Sequence, residues 1–354
     1  MLNKMRGRRT ELIPNGGQGE LALLGRIRQR ANRSENSGLR LGIGDDCAIL
    51  RLKPREELAV TTDLSISGRH FHLGWHPPEA VGHRTLARGL SDIAAMGARP
   101  LAAFLSLGLP QNLTLARNRR IAWLDRFFDG FLALADQHQT PLAGGDLAES
   151  PVAVADIVLL GAVPRGKALL RSGARPGDFV CVTGALGGAA AGLKLLRKRS
   201  GQALATARES KPVDSRKPKH GQNRFTPHLW PQPRIEQGIW LRRRRLATAA
   251  IDLSDGLSTD LDHLCEESGV SAELDAEALP IHAGATMDQA LHGGEDYELL
   301  FTTRPNTTTP RIIAGVPVTR IGRIVKRRPA QPAIVLVDAS GRHALRRGGW
   351  EHFS

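Results

Sequence analysis

Six short motifs of the sequence place an aspartate or a glutamate beside glycine, serine or threonine, and most of them lie at the edge of an apolar run. They are "GIGDD" (Asp45, Asp46), "TTD" (Thr61, Thr62, Asp63), "LSD" (Asp92), "AGGD" (Asp146), "IDLSDG" (Asp252, Asp255) and "GGEDYE" (Glu295, Asp296). Carboxylates held together at the rim of a core repel one another and need cations. Mg²⁺ suits them, because it takes oxygen ligands, keeps several waters and is usually held by a few carboxylates together with substrate phosphates. The motifs therefore predict a magnesium site that handles phosphates.

Each motif taken alone has a simpler interpretation. Aspartate next to glycine is most often a helix N-cap or a turn residue, which would account for Asp46 or Asp255. Asp92 lies four residues after Arg88, and an ion pair at this helical spacing contributes only a few tenths of a kcal/mol. The metal site is favoured because six motifs occur in a chain whose formal net charge is +14.

Glycine-rich turns lie alongside the acidic motifs and can expose backbone N–H groups to an anion. They are "GIG", "AGG", "TGALGG" and "LHGG". The sequence contains neither the Walker motif G-x-x-x-x-G-K-[ST] nor the H-R-D and D-F-G motifs of protein kinases. An enzyme that uses a nucleotide here would depend on metal ions more than on a lysine. Arg171 is the basic residue that we favour for a phosphate contact, and a surface role for it stays open.

The composition indicates a soluble protein of ordinary core size and two domains. The chain has 354 residues, of which 41% are hydrophobic and 24% charged. The longest apolar stretch, "VAVADIVLLGAV", is shorter than a membrane span and contains Asp156, and the basic N-terminus lacks the apolar region of a signal peptide. We therefore expect a cytoplasmic protein without a membrane partner. Cys47, Cys181 and Cys265 are too far apart for a disulfide framework or a zinc motif.

The basic balance of the chain raises the alternative of a nucleic-acid-binding protein. The densest basic runs are "LRRRRLA" and "IVKRRPA", and the sequence pI is about 10.7. Aromatic residues make up only 4% of the chain, and these runs contain none on which bases could stack. A solvated basic surface is the favoured interpretation, so nucleic acid is the less favoured partner.

Strand-like and helix-like segments alternate along the chain. The predicted elements are strands at 57–63, 100–110 and 152–163, helices at 78–97 and 115–137, a strand, glycine turn and helix over 179–196, and a helix at 256–269. A basic extension, 1–18, precedes an N-terminal domain, 19–163, and a C-terminal domain, 164–354. Residues 197–224 are polar and basic without periodicity, and we expect them to form a mobile surface insertion.

Several longer motifs, in this order, resemble the thiamine-monophosphate kinase family, part of the superfamily of aminoimidazole ribonucleotide synthetase and selenophosphate synthetase. They are "GIGDDCAIL", "TTDLSISGRHF", "LARGLSDIAAMGARPLAAFLSLGLP", "LAGGD", "LLRSGARPGD", "IDLSDGLSTDLDHLCEESGV", "GGEDYELLF" and "GWEHF". The resemblance implies an α/β (α+β) protein of the two-domain aminoimidazole ribonucleotide synthetase-like fold, with mixed sheets flanked by helices and N-terminal sheets that form a homodimer. It also implies transfer of the γ-phosphoryl of ATP to thiamine monophosphate.

The resemblance assigns roles to individual residues. The implied magnesium ligands are Asp46, Thr61, Thr62, Asp63, Asp92, Asp146, Asp252 and Asp255. The implied ATP-binding residues are Gly145, Asp146, Arg171 and Ser254, and the implied substrate-binding residues are His70, Glu295 and Trp350. Two positions depart from the family pattern: Gly89 stands where asparagine is common, and Leu147 stands where threonine is common.

The expected chemistry needs no general base. A phosphate monoester has a second pKa near 6 and is mostly a dianion at neutral pH, so the protein must align two anions and neutralise their charge. A rival within the superfamily is a different ATP-using synthetase. The N-terminal catalytic cysteine of selenophosphate synthetase is missing here, because the first cysteine is Cys47.

Overall fold

The computed structural model describes residues 20–31, 38–114, 122–206, 226–328 and 331–350. Among the described residues of the first half are the helices α1 (Glu20–Ala31), α2 (Pro78–Ala95), α3 (Gln111–Thr114) and α4 (Trp123–Gln137). The strands described there are β1 (Leu39–Leu41), β2 (Ile49–Leu50), β3 (Glu56–Ile66), β4 (Arg99–Leu109), β5 (Leu142–Glu149) and β6 (Val154–Pro164).

The second half continues the alternation. Its helices are α5 (Gly188–Thr206), α6 (Thr226–Leu229), α7 (Ile235–Arg244), α8 (Leu257–Ser268) and α9 (Met287–His292), with a 3₁₀ turn at Ala276–Ala278. Its strands are β7 (Phe179–Thr183), β8 (Ala247–Asp252), β9 (Val270–Asp275), β10 (Leu299–Thr303), β11 (Ile312–Ile313), β12 (Val316–Lys326), β13 (Ile334–Asp338) and β14 (Gly341–Leu345).

The first half is built on a four-stranded sheet with the order β3-β6-β4-β5. Strands β3 and β4 run antiparallel to β6, and β4 runs parallel to β5. Helix α2 packs on one face of this sheet, and α4 packs on α2. Two glycines allow the helices to approach closely, because a Cβ atom at Gly82 or Gly130 would lie within 2 Å of a carbonyl oxygen of the other helix.

Helix α2 begins and ends where its sequence predicts. Pro78 occupies its first turn, where the missing N–H of proline costs nothing. At its end, Gly97 adopts a φ of +62°, and the N–H groups of Gly97 and Ala98 donate to the carbonyls of Ala94 and Ile93. This is a Schellman motif, so the glycine closes the helix just before β4.

The second half is a mixed eight-stranded sheet with the order β14-β13-β9-β12-β7-β10-β8, and β11 pairs with β12. Its contact with the first half runs through α2, which also packs on α7 and β8. Gly238 of α7 lies against the backbone of Ala94, where a Cβ atom would be 2.0 Å from the carbonyl oxygen. Helix α2 therefore links both halves and carries residues from the first half toward the end of β8.

The structure agrees with the predicted mixed sheets flanked by helices and differs from the prediction at one segment. Helix α5 continues to Thr206, so residues 197–206 of the predicted insertion are helical, and residues 207–225 lie outside the described residues. Helix α4 covers Trp123–Gln137 of the predicted helix 115–137, whereas residues 115–121 and the predicted extension 1–18 lie outside the described residues. No helix within the described ranges is long and apolar enough to cross a membrane.

Candidate functional site

A cavity of about 350 Å³ opens between the two halves of the chain. It is lined by β3, α2, the end of β8, the first turns of α5 and the loop before β10. The predicted site residues that line it are Asp63, His70, Asp92, Asp252, Ser254, Asp255, Glu295 and Trp350. Side chains separated by almost 290 residues in the sequence thus share one cavity.

Four carboxylates from both halves form the acidic end of the cavity. Asp63 comes from β3, Asp92 from α2, Asp252 from the end of β8 and Asp255 from the turn between β8 and α8. The Thr61 hydroxyl donates to Asp92, and the Ser91 hydroxyl donates to the Asp252 carboxylate at 2.6 Å. These four carboxylate residues are called the acidic cluster below.

Without a bound cation, the negative charges of the acidic cluster repel one another, and burial adds to the cost of keeping them ionised. Burial raises the pKa of Asp92 to about 6, and the neighbouring Asp63 carboxylate adds to the increase. The pKa of Asp252 is raised well above its usual value, first by burial and then by Asp92. Burial raises the pKa of Asp63 as well, although Arg88 opposes the increase. Such carboxylates become stable as anions when a cation joins them.

The arrangement suits an ion that needs few protein ligands. Within the described ranges, no group of three or more histidine, cysteine, aspartate or glutamate side chains is close enough together to hold one metal ion by itself. Mg²⁺ does not need such a group, because it keeps several waters and is bound through one or two carboxylates together with phosphate oxygens. The all-oxygen donors of the acidic cluster therefore fit Mg²⁺ when a phosphate supplies the remaining ligands.

Asp260 fixes the backbone that carries Asp255. Its buried carboxylate accepts hydrogen bonds from the N–H groups of Ser254, Asp255 and Gly256, at 3.0, 3.1 and 3.0 Å. Burial raises the pKa of Asp260 to about 7, and Asp255 adds to the increase. This role of Asp260 was not predicted from the sequence. An acidic residue in the first turn of α8, directly after a glycine turn, was the available signal.

The loop before β10 forms the other end of the cavity around Glu295. Glu295 has a φ of +67°, and its N–H donates to the Ser254 carbonyl at 2.7 Å. The Arg84 guanidinium, of which only 5% is exposed, donates to the Glu295 carboxylate at 2.6 Å. Positive φ values are strained for residues other than glycine, so a loop without these contacts would not keep Glu295 in this conformation. The two hydrogen bonds therefore fix its position. The sequence analysis did not identify Arg84.

Histidines line the cavity on the Glu295 side. The Nε2 atoms of His76 and His228 lie 3.0 Å apart, and His228 Nδ1 lies 3.4 Å from the Glu295 carboxylate. Burial lowers the pKa of both histidines, that of His76 to about 4. His70 Nδ1 accepts a hydrogen bond from the N–H of Ile66 at 3.0 Å. The His76 and His228 rings are neutral at pH 7, so they add no positive charge to this part of the cavity.

Trp350 closes the cavity from the C-terminal side. Its backbone N–H donates to the Asp255 carbonyl at 3.2 Å, and 48% of its surface is exposed. Residues 351–354, which include the end of the "GWEHF" motif, lie outside the described residues. An aromatic ring that is half exposed at the mouth of a cavity has surface available for a planar ligand.

Three predicted residues lie in a different cavity. Asp46, Gly145 and Asp146 line a space of about 430 Å³ between α1, the loop over 43–48 and β5. The strand register puts Asp63, Ile157, Leu105 and Gly145 in one row across the sheet, so Asp63 and Gly145 are three strand spacings, or about 14 Å, apart. Asp146 follows Gly145 on the opposite face of β5, in register with Ser106. Within one chain, the structure therefore does not bring Asp46, Gly145 and Asp146 together with the acidic cluster, and their predicted roles stay predictions.

The last three predicted residues, Thr61, Thr62 and Arg171, lie near the acidic cluster without lining the cavity. Arg171 is exposed, and its charge lowers the pKa of Asp92, which burial otherwise raises. Thr62 is exposed on the face of β3 that points away from α2. Arg171 is thus placed to act on an anion near Asp92, and the Thr62 side chain is not.

The chain is similar to proteins of known family and structure over most of its length. Residues 44–163 match the family model described as AIR synthase related protein, N-terminal domain. Thiamine-monophosphate kinase of Escherichia coli (strain K12) is 39% identical over 318 residues, which cover 86% of this chain and 90% of that protein. The crystal structure of thiamine-monophosphate kinase from Stenotrophomonas maltophilia K279a is 36% identical with a TM-score of 0.71, over 90% of this chain and 96% of that chain. The structure "AaThiL complexed with AMPPCP and TMP" is 30% identical with a TM-score of 0.67, over 99% of this chain and 100% of that chain. The chain therefore belongs to the thiamine-monophosphate kinase family.

Proposed function

We propose that this chain transfers the γ-phosphoryl group of ATP to thiamine monophosphate and forms thiamine diphosphate. The observation that carries the proposal is the convergence of Asp63, Asp92, Asp252 and Asp255 from both halves on one cavity that also contains Glu295. Membership of the family supports the same reaction, and so does the relative that was solved with AMPPCP, an analogue of ATP, and TMP.

The two ends of the cavity have different functions, since one end binds the metal ions and the other binds the acceptor. The carboxylates of the acidic cluster would hold Mg²⁺ together with phosphate oxygens, and the bound ion would supply positive charge that offsets the charge of the phosphates. Thr61 and Ser91 orient the carboxylates of Asp92 and Asp252. The acceptor phosphate is already a dianion, so the transfer requires alignment and no residue has to remove a proton.

Glu295 and Trp350 select the acceptor. Thiamine carries a cationic ring, which a carboxylate and an aromatic face can contact together. Glu295 is already paired with Arg84, so this pair fixes the position of the carboxylate and reduces the negative charge that it presents to the acceptor. If Trp350 stacks on the acceptor, Trp350→Ala raises the KM for thiamine monophosphate and leaves the KM for ATP unchanged. An unchanged KM for thiamine monophosphate removes Trp350 from the site.

A homodimer is part of the proposal. The face of the N-terminal sheet that points away from α2 exposes large apolar side chains, with Leu58, Val60 and Leu64 of β3 exposed by 47%, 56% and 46%. An apolar sheet face of this kind is suited to cover an equal face of a second copy. The edge strands β3 and β5 lie at opposite ends of the sheet. Pairing of these edges between copies would bring Asp146 of one chain toward Asp63 of the other.

A direct assay tests the proposed reaction. The purified chain is incubated with ATP, Mg²⁺ and thiamine monophosphate, and thiamine diphosphate and ADP are measured by chromatography, with unphosphorylated thiamine as the control acceptor. We expect equal amounts of the two products from thiamine monophosphate and none from thiamine. Asp63→Asn should abolish turnover, whereas Asp178→Asn, at a buried carboxylate outside the cavity, should keep it. Hydrolysis of ATP without thiamine diphosphate would refute the proposal.

A further inference from the structure

Arg88 is the basic side chain of α2 that reaches the middle of the active-site cavity. Arg84, Arg88 and Asp92 follow one another at intervals of four residues, so they lie along one face of α2 at steps of about 6 Å. Arg84 at one end contacts Glu295, and Asp92 at the other end belongs to the acidic cluster. Arg88 therefore lies between the two regions that the proposed function assigns to the acceptor and to the metal ions.

The hydrogen bonds that Arg88 makes to the described residues leave most of its guanidinium unused. Its Nη2 donates to Asp63 at 3.3 Å and its Nη1 to the Ser65 hydroxyl at 3.4 Å. A guanidinium has five N–H donors, and a strong pair with a carboxylate is usually bidentate at about 2.7–2.9 Å. The two long hydrogen bonds of Arg88 are therefore weaker than a bidentate ion pair with Asp63 would be. Since 18% of the side chain is exposed and it lines the cavity, the remaining donors can reach a ligand.

The position of Arg88 is set by close packing of α2 on the sheet. Gly89 lies against β6, where an added Cβ atom would be 3.3 Å from the Leu159 Cβ atom. A larger residue would require the Leu159 side chain or the helix to shift slightly, so the small residue next to Arg88 lets α2 lie close to the sheet that carries Asp63.

We propose that Arg88 binds the phosphate group of the acceptor and holds it between the acidic cluster and Glu295. The inference rests on the proposed function. A dianion that enters a cavity lined by Asp63, Asp92 and Asp252 meets repulsion, and a permanent cation on the same wall offsets it. The fork of N–H donors also fixes the direction of a phosphate, which a single point charge would not.

Ligand binding tests this role separately from catalysis. Dissociation constants of thiamine monophosphate and thiamine are measured by calorimetry without ATP or Mg²⁺, for the wild-type chain and for Arg88→Met, Arg88→Lys and Arg126→Met. Arg126 pairs with Glu79 of α2 at 2.7 Å outside the cavity, so its variant controls for the loss of an ion pair on this helix. Thermal unfolding confirms that each variant is folded.

Loss of the phosphate contact affects only the phosphorylated ligand. We expect Arg88→Met to raise the dissociation constant of thiamine monophosphate about tenfold to a hundredfold, and that of thiamine by less than about twofold. Arg88→Lys should raise the dissociation constant of thiamine monophosphate by an intermediate factor, and Arg126→Met should leave it unchanged. If the wild-type chain prefers thiamine monophosphate and Arg88→Met keeps that preference, Arg88 only balances Asp63 and the inference is wrong. If the wild-type chain itself does not distinguish the two ligands, the inference is wrong, whereas the proposed function is refuted only by the product assay described above.

Discussion

Replacing Asp92 with asparagine should stabilise the protein in the absence of metal ions. The pKa of Asp92 in the folded chain is about 6, against 3.8 for an ordinary aspartate, because burial and Asp63 disfavour its charge. A raised pKa means that the folded state binds the proton more tightly than the unfolded chain, so stability is lost as the pH rises from 3.8 to about 6, and the full penalty applies above that pH. The shift of about 2 units corresponds to roughly 3 kcal/mol at pH 8, as an upper bound, since one pKa unit is about 1.4 kcal/mol.

The asparagine side chain of Asp92→Asn would keep the geometry and remove the charge. The Thr61 hydroxyl can donate to the amide oxygen as it does to the carboxylate, so the hydrogen bond survives. We therefore expect Asp92→Asn to unfold at a higher urea concentration than the wild-type chain at pH 8 in EDTA. The difference should shrink as the pH is lowered through 6 toward 4, because Asp92 of the wild-type chain then becomes neutral as well.

Addition of Mg²⁺ together with a non-hydrolysable ATP analogue should reverse the order, because the phosphates supply the ligands that the acidic cluster lacks. Ligands that bind the folded wild-type chain stabilise it by RT ln(1 + [L]/Kd), and Asp92→Asn should gain less. Urea unfolding followed by tryptophan fluorescence, in EDTA and with Mg²⁺ and the analogue, measures both effects. Asp178→Asn is the control, because Asp178 is buried and accepts a hydrogen bond from the Thr248 hydroxyl at 2.7 Å outside the cavity, so its loss should destabilise under both conditions. The reasoning would be refuted by an Asp92→Asn variant that is less stable than the wild-type chain in EDTA and gains as much stability from Mg²⁺ and the analogue as the wild-type chain does.

Three further predictions concern the dimer, the acceptor and the pH dependence. Val60→Arg places a charge in the exposed apolar face of β3 and should convert a dimer to a monomer in light scattering; a variant that stays dimeric places the interface elsewhere. Glu295→Gln should raise the KM for thiamine monophosphate about tenfold and spare that for ATP, since a charge-assisted contact is worth about 1.5 kcal/mol, and equal changes in both would exclude an acceptor role. Burial lowers the pKa of His83 to about 4, so the unfolded chain takes up the proton first and stability is lost as the pH falls from 6.5 to 4. Over that range, the wild-type chain should lose up to about 3 kcal/mol more free energy of unfolding than His83→Gln, and parallel losses would contradict the shift.

Local signals in the sequence were sufficient for the elements that carry the acidic cluster. Proline at the start and glycine after the end fixed α2, predicted at 78–97 and observed at Pro78–Ala95. The apolar run at 152–163 gave β6, which spans Val154–Pro164. The predictions of the family, of the fold class and of a kinase are confirmed by relatives that match over most of the chain.

The arrangement of the site depended on information that a linear pattern does not contain. The separation of Asp146 from Asp63 follows from the strand order β3-β6-β4-β5 and from side-chain alternation, and neither can be deduced from the spacing of two motifs. The role of Arg84 depends on a contact with a residue 211 positions away. Helix α5 was cut short in the prediction because its polar, basic second half lacks an apolar stripe. The roles of single residues, Mg²⁺, the dimer and the cytoplasmic location stay predictions.

The location of divalent ions tests the central claim most directly. Crystals grown with Mn²⁺, a non-hydrolysable ATP analogue and thiamine monophosphate allow anomalous scattering to place each ion. We expect peaks in the cavity within about 2.1 ± 0.2 Å of carboxylate oxygens of Asp63, Asp92 and Asp252 and of phosphate oxygens. Bound ligands with no ion in this cavity, and with Asp63 and Asp252 still held by Arg88 and Ser91, would contradict the account.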